Sequence, residues 1–246
     1  MAADLSRPLL PRLVLAALLG PLALPGLHLA QGSDLPGAAG DAGATTPTRT
    51  VVFSEVMWMG SEASTADEWL ELCNTTASPV DLSGWCITRL YKGAHQVMVE
   101  LPDIQVAPGR ALLVANYAPS EARCALAVQP DVVTTALTLA NTRLQLCLLT
   151  GPPGSGGVLV DVADDGRGAP LAGTAQPPAA MVRVDLAADG TTAAAWETAS
   201  SAVGWKPGVD ARGTPGAGPE PEAGAAATTA APAMAWGGVK RAGLPR

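Results

Sequence analysis

Asp67, Glu68 and Glu71 cluster within a few residues, and Glu55 lies a short way upstream. Grouped carboxylates of this kind bind calcium or serve as general acid and base. No histidine or third fixed ligand accompanies them. They are therefore expected to act as framework groups that accept backbone N–H bonds at a loop or strand edge. Asp161, Asp164 and Asp165 precede Gly166 like the start of a calcium loop. The Asp-x-Asp-x-Asp-Gly spacing is not kept and no closing Glu follows, so a polar turn is expected. The run GPPGSGG at 151–157 lacks both the Lys and the following helix of a phosphate-binding loop. His95 has no second His in the body of the chain, and no Gly-x-Ser-x-Gly elbow supplies a nucleophile. Catalytic, cofactor-binding and metal-ligating residues are therefore left unassigned, and calcium remains only the weaker alternative. Asn74-Thr75-Thr76 has the form of a glycosylation sequon, which carries no meaning in a bacterial chain.

The large aromatics offer a second kind of chemistry. Trp58 and Trp69 stand beside Asp67, Glu68 and Glu71, and these five residues are the candidate interaction surface. Either tryptophan serves equally well as a core residue, whereas Trp85 is expected in the core. The four cysteines are Cys73, Cys86, Cys124 and Cys147. An even number in an exported chain suggests two disulfides, with three pairings open; the alternative is four buried thiols. No C-x-x-C spacing occurs, which argues against zinc and thioredoxin-type redox chemistry.

Export is expected from the N-terminus. Arg7 and Arg12 precede an apolar stretch at 13–30, the pattern of a secretory signal. Gly20, Pro21, Pro25 and Gly26 interrupt that stretch, which suits a signal better than a spanning helix. Residues 1–30 are read as a signal peptide, and no transmembrane span is expected after its removal. Losing Asp4, Arg7 and Arg12 removes two positive charges and one negative, taking the formal charge from −7 to −8. An acidic chain with only three lysines (Lys92, Lys206 and Lys240) repels phosphate backbones, so nucleic acid is not an expected partner.

Hydrophobic content is 48% but aromatics only 4%, and much of the apolar count is Ala. The core must therefore lean on Val, Leu, Ile and a few Trp. Residues 31–49 show no periodicity and read as a disordered linker. From 211 onward, 11 Ala, 7 Gly and 5 Pro among 36 positions give too little to bury a core. Between these flanks the pattern is all-β. Val51–Trp58 is apolar, and Glu68–Cys73 alternates, with Leu70 and Leu72 on one face and Trp69, Glu71 and Cys73 on the other. Asp81-Leu82-Ser83-Gly84 makes a turn into Trp85–Thr88, and Ala107-Pro108-Gly109 makes one into the strand Arg110–Ala115. Strands are also expected at Thr138–Leu139, Leu144–Leu149, Val158–Val162 and Met181–Val184, with one helical turn allowed in Glu121–Val128. Short strands at regular spacing argue a β-sandwich. Its core candidates are Val52, Val56, Leu70, Leu72, Leu82, Trp85, Ile87, Leu112, Val114, Leu139, Leu144, Leu146, Leu148, Val160 and Val162.

The body resembles the lamin tail domain, an immunoglobulin-like β-sandwich found in nuclear lamins and in many exported bacterial proteins. The resemblance rests on Ser54–Ser61, Ala66–Asn74 and Val80–Trp85, then on Val106–Gly109, Leu139–Asn141 and Val160-Asp161. It closes with Met181–Arg183, Asp189-Gly190, Trp196 and Gly213-Thr214-Pro215-Gly216-Ala217. It implies one domain over 50–218, a disordered tail over 219–246, and a binding or adhesive module rather than an enzyme. The exported bacterial branch fits the signal segment, placing the protein outside the cell or at its surface, with a protein or cell-envelope component as partner. Two alternatives stand beside this: a calcium-dependent or hydrolase-associated accessory module, and a structural envelope component. No coiled-coil rod is present, so filament formation does not carry over. Cys73 and Cys86 depart from the family pattern. Placed on neighbouring strands they are expected to pair, leaving Cys124 for Cys147, although the resemblance supplies neither bridge.

Overall fold

The structure, a computed structural model, describes residues 49–219. The signal segment, nearly all of the 31–49 linker and the tail from Glu220 lie outside the described residues.

Fourteen strands build the domain. In chain order they are β1 Val51–Met57, β2 Trp69–Asn74, β3 Val80–Asp81, β4 Cys86–Tyr91, β5 Ala94–Glu100, β6 Gln105–Val106 and β7 Ala111–Ala115. They continue as β8 Val132–Val133, β9 Leu146–Leu149, β10 Leu159–Ala163, β11 Thr174–Ala175, β12 Pro178–Ala179, β13 Met181–Arg183 and β14 Trp196–Thr198. A 3-10 turn at Ala193–Ala195 is the only helix among the described residues, none of which forms a helix long and apolar enough to cross a membrane. The strands form a six-stranded sheet, β14-β13-β1-β2-β7-β8, and a four-stranded sheet, β10-β9-β4-β5. Two small ribbons, β3-β6 and β11-β12, sit apart from these. The fold is an all-β, immunoglobulin-like sandwich.

The core forms where the two sheets meet. Phe53, Leu70, Leu72, Leu112 and Val114 from the larger sheet join Ile87, Leu146 and Leu148 from the smaller in one buried cluster. Each such side chain taken from water contributes about 1.5–3 kcal/mol. Trp85, Val160 and Val162 are only partly buried. The glycine-rich 151–157 run connects the antiparallel pair β9 and β10, where the alternation places it. Thr138–Leu139 is not a strand, although Leu139 is buried, and 121–128 holds no helix. Strands β5 and β14 carry no clean alternation and go unseen in the sequence.

The expected disulfides are absent: all four cysteines are buried free thiols. The physical reason is strand order. Cys73 lies on β2, between β1 and β7, whereas Cys86 lies on β4 in the opposite sheet. Cys147 on β9 faces Thr88, two positions along from the Cys86–Leu149 pair, and Cys124 lies in the loop between β7 and β8. Burial raises the Cys73 and Cys147 thiols to about 11, so both stay protonated and unreactive. Alkylation without reductant is expected to label four thiols in denaturant and almost none under native conditions. Fewer than four labelled in denaturant would mean that bridges form.

Candidate functional site

On most sheets of a sandwich the face turned away from the core meets water. Here that face of β1 and β2 is covered as well, and every residue of both strands is buried. Cross-strand pairing puts Glu55 opposite Glu71, Met57 opposite Trp69 and Val52 opposite Cys73 in this outer row. A β-bulge at Ser54 sets the register, so that two residues of β1 face Glu71. The cover is the chain after β14, residues 199–218. Trp205 packs on Trp69 with ring centroids 5.9 Å apart. The Gly213–Gly218 stretch then crosses β1, β2 and β7 in turn.

The crossing is held by the two glutamates. Glu55 accepts hydrogen bonds from the Thr214 backbone N–H at 2.9 Å and from its hydroxyl at 2.7 Å. Glu71 Oε1 accepts the Gly216 N–H. Gly213 leaves no room for a side chain, since a Cβ there would stand 2.8 Å from Glu55 Oε1 and 3.2 Å from the Trp69 ring. Glu71 Oε2 and the Ser54 hydroxyl are buried without a partner. Burial raises the Glu55 carboxyl to about 7. It raises Glu71 to about 8, and the charge of Glu55 adds to the effect.

Beside this crossing runs a groove of about 1280 Å³. Ser54, Glu55, Glu71, Cys73 and Val182 line it from the sheet, Arg49 and Arg110 contribute cations, and Asp185 and Glu197 contribute anions. Thr214, Ala217 and Gly218 of the crossing segment also line it.

The five residues expected to form an interaction surface do not form one, because all are buried. Trp69 is fully enclosed, and Trp58 donates its indole N–H to the Ala172 carbonyl at 2.9 Å. Asp67 Oδ2 takes the Ser61 hydroxyl at 2.6 Å and the Ala125 N–H at 2.7 Å, tying two loops together. Glu68 Oε2 accepts the Leu139 N–H at 3.2 Å, and burial raises its carboxyl to about 7. Each carboxylate thus satisfies backbone donors from a different loop, and Glu71 alone of these five lines the groove. Asn74 is fully buried, with its side-chain amide on the Ser78 and Val106 carbonyls, so the folded sequon offers no free amide. His95 is half-buried, and its Nδ1 lies 3.0 Å from the Thr88 hydroxyl. Among the described residues, no three His, Cys, Asp or Glu converge as metal ligands.

Sequence reasoning missed the tie between the sheets. Asp161 on β10 accepts the Phe53 N–H of β1 at 3.0 Å. It also forms a two-pronged pair with Arg183 of β13, at 2.6 and 3.2 Å. Both side chains are wholly buried. Arg183 further stacks 5.4 Å from the Trp196 ring centroid. Burial pushes the Asp161 carboxyl upward against the downward pull of Arg183. Arg49, read as linker, reaches the same carboxylate at 3.4 Å. An arginine inside the short apolar strand Met181–Val184 was the available signal. Asp164 accepts N–H bonds from Gly166 and Leu171 and so closes a turn, while Asp165 accepts one from Arg167.

The family model of the lamin tail domain matches residues 44–162. The chain carries a lamin tail domain, a β-sandwich family of structural and interaction domains not known for catalysis. No curated protein matches the chain.

Proposed function

We propose that the protein is an exported, non-enzymatic interaction module that acts at the cell surface or outside the cell of a bacterium. The observation carrying this reading is the groove beside the crossing segment. Its lining carries both cations (Arg49, Arg110) and anions (Asp185, Glu197). Mixed charge suits a polypeptide segment better than a uniformly charged polymer. The carboxylates that suggested acid–base chemistry are instead taken up by backbone donors, which supports binding over catalysis.

Two measurements test this reading. Surface-exposed protein on intact cells is expected to be removed by added protease, and full protection would overturn export. A photo-crosslinking residue placed at Arg110 or Glu197 is expected to capture a protein partner on those cells. The same group at Val158, exposed just after the 151–157 loop, is expected not to. Equal labelling from all three positions would remove the groove as the binding surface.

A further inference from the structure

Glu55 and Glu71 face each other on adjacent strands, both buried, and no described cation lies within ion-pair distance of either. Arg183 and Arg49 are committed to Asp161. In the covering segment, Lys206 donates to the Glu121 and Cys124 carbonyls, and Arg212 pairs with Asp210. Arg110 lines the groove without forming an ion pair with them. The remaining neighbours only add negative charge or none. Asp131 accepts the N–H of Leu113, which pairs with Glu71, and Glu197 pairs with Val182 beside Glu55. Cys73 is the next outer residue of β2 and stays a neutral thiol. Two like charges at this separation, desolvated and uncompensated, cannot both persist beneath a packed segment. A proton on one carboxyl removes the repulsion. It costs no backbone hydrogen bond, because the other oxygen still accepts, and a protonated Glu55 can donate to the Thr214 hydroxyl.

We propose that Gly213–Gly218 is a proton-locked clasp over the outer face of the six-stranded sheet, closed while Glu55 or Glu71 holds a proton and released when both ionise. The device does not depend on what occupies the groove. Its direction follows from the carboxyls, which are raised in the closed state to about 7 and about 8 from 4.5. When the clasp opens, both meet water and return toward the ordinary value, so opening releases protons. Closure is therefore fully favoured below the ordinary carboxyl value. It weakens as pH rises through 5 to 8 and levels off above the raised values. Release would bare Trp69 and widen the groove, since Thr214, Ala217 and Gly218 line it.

The test is hydrogen exchange of the purified full chain between about pH 5.5 and about pH 8.5, corrected for intrinsic rates. The opening constant of the 212–218 peptide is expected to rise at least about tenfold, the factor given by one unit of pKa difference. Peptides covering β9 exchange only through larger openings and are expected to stay better protected than 212–218 at both pH values. Glu71→Gln should remove most of the rise, and Glu55→Gln with Glu71→Gln should abolish it, because glutamine accepts the same N–H bonds without titrating. A flat profile in the wild type would overturn the clasp. So would protection of 212–218 equal to that of β9 throughout, or a full rise retained in the double variant. If the variants fail to fold, the wild-type comparison of 212–218 with β9 still decides.

Discussion

Asp161→Ala is expected to lower the unfolding free energy by about 3–5 kcal/mol, the usual cost of stranding a buried charge. The carboxylate ties β10 to β13 through Arg183 and to β1 through the Phe53 N–H. Its removal leaves a guanidinium with no exposure and a backbone donor without its acceptor. For a domain of this size the melting temperature should fall on the order of 10 °C. Arg49→Ala removes partly exposed contacts to Asp161, Asp189 and the Ala187 carbonyl and should cost under about 1 kcal/mol. Chemical denaturation of both variants beside the wild type is the check. Equal losses would mean that Arg183 finds other partners, and the inter-sheet tie would not be the one described.

Trp69→Ala should cost about 3–5 kcal/mol, the range for emptying a large aromatic site in a packed interior. Trp69 is fully buried between β2 and the covering segment, and Trp205 and Gly213 close over it. The indole also fills the space that the absent Cβ of Gly213 leaves, so the cavity has little means to collapse. The experiment separates the two readings of this residue. A tryptophan on a recognition surface would be replaced with little change in stability. A loss of several kcal/mol, accompanied by faster exchange in 212–218, is the outcome expected of a buried keystone. A stable variant would contradict the packing between Trp69 and the crossing segment.

Much of the sandwich was legible in the chain. The apolar run at Val51 and the alternation through Leu70 and Leu72 marked β1 and β2 because strand periodicity is a local property. The turns at Asp81–Gly84 and Ala107–Gly109 were equally local, resting on an Asp side chain that accepts the Ser83 N–H and on a positive-φ glycine. What stayed hidden depends on partners distant in sequence. Alternation correctly set Trp69, Glu71 and Cys73 on the opposite face from the leucines, but it says nothing of what covers that face. The cover comes from residues rich in Gly, Ala and Pro, a composition that also describes a tail. In this segment the glycines permit close approach, as Gly213 does against Glu55 and Trp69. Cysteine pairing failed for a related reason. The chain passes from β2 to β4 through the small β3 strand and changes sheets on the way, a step that spacing alone does not reveal.

The stretch that matches the family ends at Val162, yet Arg183, Trp196 and the 213–218 crossing all lie beyond it. A protein engineer who cut or fused at that boundary would discard the counter-charge of Asp161 and uncover a tryptophan and two glutamates at once. The exposed β1 edge, stripped of β13, would then be free to pair with other chains. The transplantable cassette is thus the whole stretch from Arg49 to Pro219, and grafts trimmed to the matched portion should aggregate rather than display a functioning module.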